Sequence, residues 1–237
     1  MRIAMWSGPR NLSTALMYSF ANRMDMSAVD EPFYAAYLNE TGLDHPMRKE
    51  VILSQNVDPK LVVSALFEAD TAVHSYQKHM TQHMLPCVLR DWMREVTNVF
   101  LIRHPARVLA SFANKYDGLT LADIGFVQQL ELFDQVCAFG QVPVVIDSAD
   151  IRANPERALR ALCHAIGLEW DPEMLSWPAG PKPFDGVWAS HWYDAVHRST
   201  GFADTEGELP VLSGELQVIN EKALPIYERL AAHKLSI

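Results

Sequence analysis

Five short apolar runs punctuate the chain: RIAMW (2–6), MSAVD (26–30), TAVHS (71–75), NVFLIR (98–103) and VPVVID (142–147). Helical patterns fill most of the gaps between them. Short apolar strands separated by segments long enough for a crossover helix belong to parallel sheets covered on both faces. Residues 60–69, 121–139 and 156–166 repeat apolar side chains every three or four positions, the stripe of a helix with one buried face. Asn154 and Pro155 predict the start of the third, a side-chain cap followed by a ring at the first helical position. A last helix is expected over about 214–232, with Pro225 bending it. The fold class is therefore α/β. A single domain over 1–237 is expected, because no repeat, low-complexity tract or linker divides the chain and 49% hydrophobic content supplies one large core. Residues 176–213 break the pattern: rich in Pro, Gly and aromatics, and long for a passive connection, they read as a lid or acceptor-binding loop.

Twenty basic against twenty-nine acidic residues leave a formal charge of −9, which opposes general adhesion to nucleic acid or anionic lipid. Any anion site must then be locally concentrated. Cys87, Cys137 and Cys163 are odd in number, widely spaced and set among apolar residues, which points to reduced, buried thiols. No apolar run reaches membrane-spanning length and MRIAMW is too short for a signal peptide, so a cytoplasmic protein without membrane or nucleic-acid partners is expected. The oligomeric state is left open.

Between the first strand and the helix that starts with LSTALMYSFANR lies the turn Ser7-Gly8-Pro9-Arg10-Asn11. Unpaired amides at that helix start, the positive end of its dipole, the Arg10 fork and the Ser13 and Thr14 hydroxyls together favour an anion. The competing reading is an ordinary loop capped by Asn11 or Ser13, with Arg10 in solvent. The ATP-binding pattern G-x-x-x-x-G-K-[ST] is not met, since no Gly-Lys precedes the hydroxyl pair. In FLIRHPARVLASFANKY (100–116) an arginine leaves a strand and Ser111 follows eight residues later, a spacing at which both meet one phosphate.

At this point the chain resembles the PAPS-dependent sulfotransferases. Gly8-Pro9-Arg10-Asn11-Leu12-Ser13-Thr14 matches their loop for the 5′ end of 3′-phosphoadenosine 5′-phosphosulfate, and Arg103-His104-Pro105 with Ser111 matches their 3′-phosphate motif. A third match is VPVVIDSADIRANPERALRALCHAIGL (142–168), so the resemblance runs in order through about residues 1–168. Leu12 replaces a glycine of the family, Arg10 stands for its usual lysine, and its C-terminal basic-glycine loop has no clear copy; His191, His197 and Arg198 are the candidate substitutes.

The resemblance implies a three-layer P-loop-like parallel sheet flanked by helices, with the donor at the carboxyl ends of the strands. It also implies sulfuryl transfer from PAPS to a hydroxyl or amine of a small acceptor, without a metal. Arg10 is then assigned to the bridging oxygen and 5′-phosphate, and Ser13 and Thr14 to holding that phosphate. Glu31, in DEPFYAAYL, is the first choice of general base, with Pro32, Phe33, Tyr34 and Tyr37 around the acceptor; alternatively Asp30 and Glu31 cap the next helix. His79 is the second choice, because Lys78-His79 resembles the family's Lys-x-His stretch without the intervening residue. His79 and His83 are spaced for a metal on a helix, but a third ligand is missing. Trp188, Trp192 and Tyr193 read either as core or as a cover for adenine or acceptor. Two other functions stay open: a nucleotide kinase or NTPase with Asp147 on magnesium, and a catalytically silent nucleotide-binding module that uses 176–213 for a partner.

Overall fold

Alternate residues of the first strand, β1 (Arg2–Ser7), enter two different cores: Ile3 and Met5 on one face, Ala4 and Trp6 on the other. The strand β4 (Thr97–Ile102) does the same, with Val99 and Leu101 opposite Phe100 and Ile102. Side chains of a strand point alternately to its two faces, so a strand apolar at every position must be covered twice. The computed structural model, which describes residues 1–68, 72–113 and 118–237, meets this demand with three layers.

Five parallel strands, including β2 (Met26–Asp30), β3 (His74–Met80) and β5 (Val144–Asp147), stand in the order β2-β3-β1-β4-β5. Helices α1 (Ser13–Ala21), α2 (Tyr34–Thr41), α3 (Arg48–Ser54), α7 (Ser148–Ala153) and α8 (Pro155–Ile166) pack on one face. Helices α4 (Pro59–Leu66), α6 (Phe126–Ala138) and α11 (Gly214–Ala231) cover the other, and α5 (Pro105–Ala113) packs on α11. Asn154 caps α8 by accepting from the Arg157 amide at 3.1 Å, with Pro155 at the first position, as its sequence requires. The strand register levels the carboxyl ends: Ser7 pairs with Met80, Asp30 with Lys78 and Ile102 with Asp147. Every turn that leaves the sheet on that side therefore opens onto one edge.

Some expectations shift. The third strand is β3 at 74–80 rather than 71–75, because Gln77, Lys78 and His79 are buried in the sheet by partners that sequence does not show. The helix expected from 121 begins at Phe126, after Gly125 turns the chain at φ 69°. Of the three thiols Cys163 is buried, whereas Cys87 and Cys137 are exposed. The segment 176–213 contains two single turns of helix, α9 (Ala189–Trp192) and α10 (Asp194–His197). Parts of the stretches read at 60–69, 71–75 and 100–116 lie outside the described residues. Among the described residues no helix is long and apolar enough to cross a membrane.

Gly8 fixes the depth of the turn after β1, since a Cβ there would collide with the main-chain oxygen of Ile124. Gly8→Ala is expected to destabilise the fold by about 1–3 kcal/mol, the usual cost of forcing an atom into a packed contact. A urea midpoint equal to the parent's would contradict this.

Candidate active site

The turn after β1 uses backbone conformations that side chains avoid: Arg10 has φ 59° and Leu12 φ 67°. Such a residue costs about 1–3 kcal/mol and persists only where its surroundings hold it. Here the end of β4 does so. Asn11 donates its side-chain amide to the Leu101 carbonyl at 2.7 Å, and Arg103 donates Nη1 to the Arg10 carbonyl. From α6, Gln129 donates to the Trp6 and Leu101 carbonyls at 3.1 and 2.9 Å. Leu12 occupies the N-cap of α1, where a glycine would adopt the left-handed backbone without strain.

No side chain caps α1 and no acidic residue lies in its first turn, so the self-capped loop does not form. Its first amides and its dipole are left to face an anion. Arg10 is partly buried, and its Nε donates to Ser111 Oγ at 3.0 Å. Burial, reinforced by Arg103, lowers the Arg10 pKa from its ordinary value.

A second group of charges stands at the ends of β2 and β3. Lys78 Nζ donates to Asp30 Oδ1 at 3.0 Å, Glu31 Oε1 at 2.8 Å and the Tyr193 hydroxyl at 2.5 Å. The Tyr193 hydroxyl donates to Asp30 Oδ2 at 2.8 Å and accepts from Trp188 Nε1 at 3.1 Å. The Gly186 amide donates to Asp30 Oδ2 at 3.1 Å. Burial raises the Glu31 pKa above the usual carboxylate range, against the opposing pull of Lys78. For Lys78 burial acts downward, but the charges of Asp30 and Glu31 prevail and raise it. Glu31 also has positive φ, 42°, and neither it nor Asp30 caps α2.

One cavity of about 330 Å³ joins the two groups. Pro9 through Thr14, Arg103 and Ser111 wall one end, and Glu31, Lys78, Tyr34, His83, Trp188 and Tyr193 line the rest; Gly8 does not line it and packs against the Ile124 main chain. Of the candidate bases, Glu31 lies on this wall and His79 does not. One position from Lys78 along β3, His79 points to the opposite face, stacked on Trp6 at 4.5 Å and beside Phe33 and Trp92. Burial there pushes its pKa down to about 3, so the imidazole is a neutral packing element.

His83 was visible in sequence only as half of a metal pair. It lies on the cavity wall between the rings of Tyr34 and Tyr37, at 4.6 and 4.7 Å, and burial holds it well below its ordinary pKa. His45 joins the wall as well, bonded to the Tyr34 hydroxyl at 3.0 Å. Trp188 and Tyr193 are buried core residues and cavity wall at once.

His191, His197 and Arg198 do not line the cavity; His197 pairs with Asp185 at 3.1 Å. Asp147 caps α7 and accepts from the Tyr227 hydroxyl at 2.7 Å, off the cavity wall. Among the described residues no three His, Cys, Asp or Glu side chains converge to hold a metal ion. The sequence reading also missed the surroundings of Arg103, where Arg107, Arg152 and the buried carboxylate of Glu206 gather.

A family model described as a sulfotransferase domain matches residues 1–234. The Arabidopsis thaliana "branched-chain-amino-acid aminotransferase-like protein 1" is 36% identical over 232 residues, which cover 98% of this chain and 42% of that protein. The chain thus spans about two fifths of the length of the curated relatives it matches. The sulfotransferase domain from the curacin biosynthetic pathway superposes with a TM-score of 0.54 at 18% identity, over 99% of this chain and 98% of that one. For a sulfotransferase from Alicyclobacillus acidocaldarius the TM-score is 0.56 at 12% identity, over 97% and 94% of the two chains. At such identities the structural likeness concerns the fold.

Removing one partner from a buried ion cluster leaves charge without compensation. Lys78→Met is therefore expected to lower stability by about 3–5 kcal/mol, and adding Asp30→Asn to recover part of the loss. Urea unfolding of the two variants measures both effects; an unchanged midpoint for Lys78→Met would mean that the cluster is not buried as described.

Proposed function

The chain belongs to the sulfotransferase domain family, and from that membership we propose that it transfers a sulfuryl group from PAPS to a hydroxyl or amine of a small acceptor. The observation that supports this reading is that one cavity is lined both by the Arg10 turn, Arg103 and Ser111 and by Glu31. The residues present fit the donor: a cationic turn with the uncapped start of α1 suits a 5′-phosphate, and Arg103 with Ser111 suits a 3′-phosphate.

The donor supplies an activated SO₃ unit whose transfer leaves negative charge on the nucleotide. Arg10 and the first amides of α1 are positioned to stabilise that charge, and a fixed cationic environment of this kind is commonly the largest catalytic contribution. Glu31 takes the acceptor proton. Its Oε1 faces Lys78 and Tyr193, and Oε2 is the oxygen that no hydrogen bond engages among the described residues. Lys78 holds that carboxylate in place, while Tyr34, His83 and Trp188 offer flat, largely apolar walls to the body of the acceptor. His79, on the other face of the sheet, has no part in this scheme.

The kinase reading finds little support, since Asp147 is engaged as a helix cap and no Gly-Lys precedes Ser13. A silent nucleotide-binding module remains a second reading, favoured by the carboxylate of Glu206 already seated on Arg103.

Calorimetry tests the nucleotide assignment: PAP (3′-phosphoadenosine 5′-phosphate) is expected to bind, and ATP with magnesium is not. Arg103→Ala should weaken PAP about 10- to 100-fold more than it weakens adenosine 5′-phosphosulfate, the worth of one charged hydrogen bond, any loss common to both ligands coming from the turn that Arg103 also holds. Equal losses for both ligands would remove Arg103 from the 3′-phosphate. Once an acceptor is found, Glu31→Gln is expected to lower kcat by about 10²–10⁴-fold without changing PAP affinity. A base works deprotonated, and burial has raised this carboxyl, so kcat/KM should fall on the acid side at a pH above the ordinary glutamate value of about 4.3. An acid limb that survives in Glu31→Gln would transfer the role to another group.

A further inference from the structure

Glu206 is a carboxylate with three arginines around it. Its side chain is 4% exposed, in a segment, 202–213, that forms neither helix nor strand. Oε1 meets Arg103 Nη2 and, at 2.8 Å, Arg152 Nη1; Oε2 lies 3.0 Å from Arg107 Nε. The same guanidinium groups hold the backbone beside it. Arg152 Nε donates to the Asp204 carbonyl at 2.7 Å, and Arg107 donates to the carbonyls of Gly207 and Glu208.

Three cations from the end of β4, from α5 and from α7 thus face one monoanion, and the match is incomplete. Arg103 Nε and Glu206 Oε2 are buried without a well-aligned hydrogen-bond partner among the described residues. Buried polar atoms are nearly always paired, so the unpaired Arg103 Nε is a donor that Glu206 does not satisfy, and the unpaired Oε2 shows that the carboxylate fits the three guanidinium groups poorly. A phosphate dianion brings twice the charge and an additional oxygen.

We propose that Glu206 is a built-in competitor for the nucleotide's 3′-phosphate, seated in a three-guanidinium site of Arg103, Arg107 and Arg152. The proposal rests on the reading of Arg103 given above. A ligand carrying the 3′-phosphate takes the arginines and releases the 203–211 strap; a ligand lacking it leaves the strap in place. The strap's polar ties at 204–208 run to these same arginines; Phe202 and Leu212 pack into apolar clusters at its two ends, and between them Val211 is 98% exposed and Leu209 half exposed, so release is confined to 203–211. A competing internal anion reduces apparent affinity by the fraction of time the site is closed.

The test is calorimetry of PAP and of adenosine 5′-phosphate with the full chain and with Glu206→Gln. The substitution is expected to tighten PAP about tenfold or more and to leave adenosine 5′-phosphate unchanged. If PAP binds the parent chain and Glu206→Gln binds it no better, the competitor is overturned while the nucleotide reading stands. If PAP binds neither protein, the nucleotide reading falls, and thermal melting with inorganic phosphate decides the rest. Greater stabilisation of Glu206→Gln than of the parent, lost again on adding Arg152→Ala, supports a phosphate site masked by Glu206; equal responses overturn it. Limited proteolysis within 203–211 needs no variant: cleavage is expected to quicken with saturating PAP and not with adenosine 5′-phosphate, and unchanged cleavage under bound PAP also overturns the proposal.

Discussion

One hydrogen bond, from the guanidinium of Arg103 to the carbonyl of Arg10, joins the turn after β1 to the turn after β4. Without it the left-handed residues Arg10 and Leu12 have a relaxed alternative about 1–3 kcal/mol lower each. A hydrogen bond from a charged donor contributes about 1.5–3 kcal/mol, enough to hold one such residue, and the Asn11–Leu101 bond adds to it. The result is two guanidinium groups kept close together against their mutual repulsion, which adds to burial in lowering the Arg10 pKa. An arrangement unfavourable by itself and favourable around an anion is preorganised for one.

The strand order separates the charges along the sheet edge. With β1 between β3 and β4, the cationic turns of β1 and β4 are neighbours, and the Asp30–Glu31–Lys78 cluster of β2 and β3 falls to the other side of β1. A reaction that stabilises a leaving anion at one place and takes a proton at another needs this separation, because a carboxylate beside Arg10 would neutralise it. The sheet supplies the spacing before any side chain is chosen. It is also why positions far apart in sequence meet in one cavity.

Much of this was legible in the chain. The alternation of apolar runs and helical stripes gave the parallel sheet, and the Arg103–Ser111 spacing and the Gly8–Thr14 turn gave one end of the cavity. The third strand was placed too early because HSYQKHM carries polar residues that only tertiary partners make buriable: Gln77 bonds to the Leu66 carbonyl, and Lys78 to two carboxylates. That displacement carried His79 with it. A histidine after a strand has no assigned face, whereas inside β3 the alternation sends it away from Lys78. Glu206 had no local signal, since its three partners lie roughly 50 to 100 residues away in sequence.

The long segment after residue 176 serves two ends of the cavity in different ways. Its first half is structural. Asp185 accepts from the Tyr18 hydroxyl at 2.6 Å, Gly186 and Tyr193 hold Asp30, and Trp188 is buried against Tyr34. Removing the Gly186 or Tyr193 bond leaves Asp30 of the Lys78 cluster short of a buried partner, a cost that keeps this half closed. The second half, 202–213, is fastened at 204–208 through Arg103, which also lines the cavity, and through Arg107 and Arg152 beside it. A segment whose fastening is itself an anion site is coupled to occupancy by construction, because the same arginines cannot fully satisfy two anions at once. The fold thus pairs a wall held by buried hydrogen bonds at the Glu31 end of the cavity with one fastened by ion pairs at the Arg103 end.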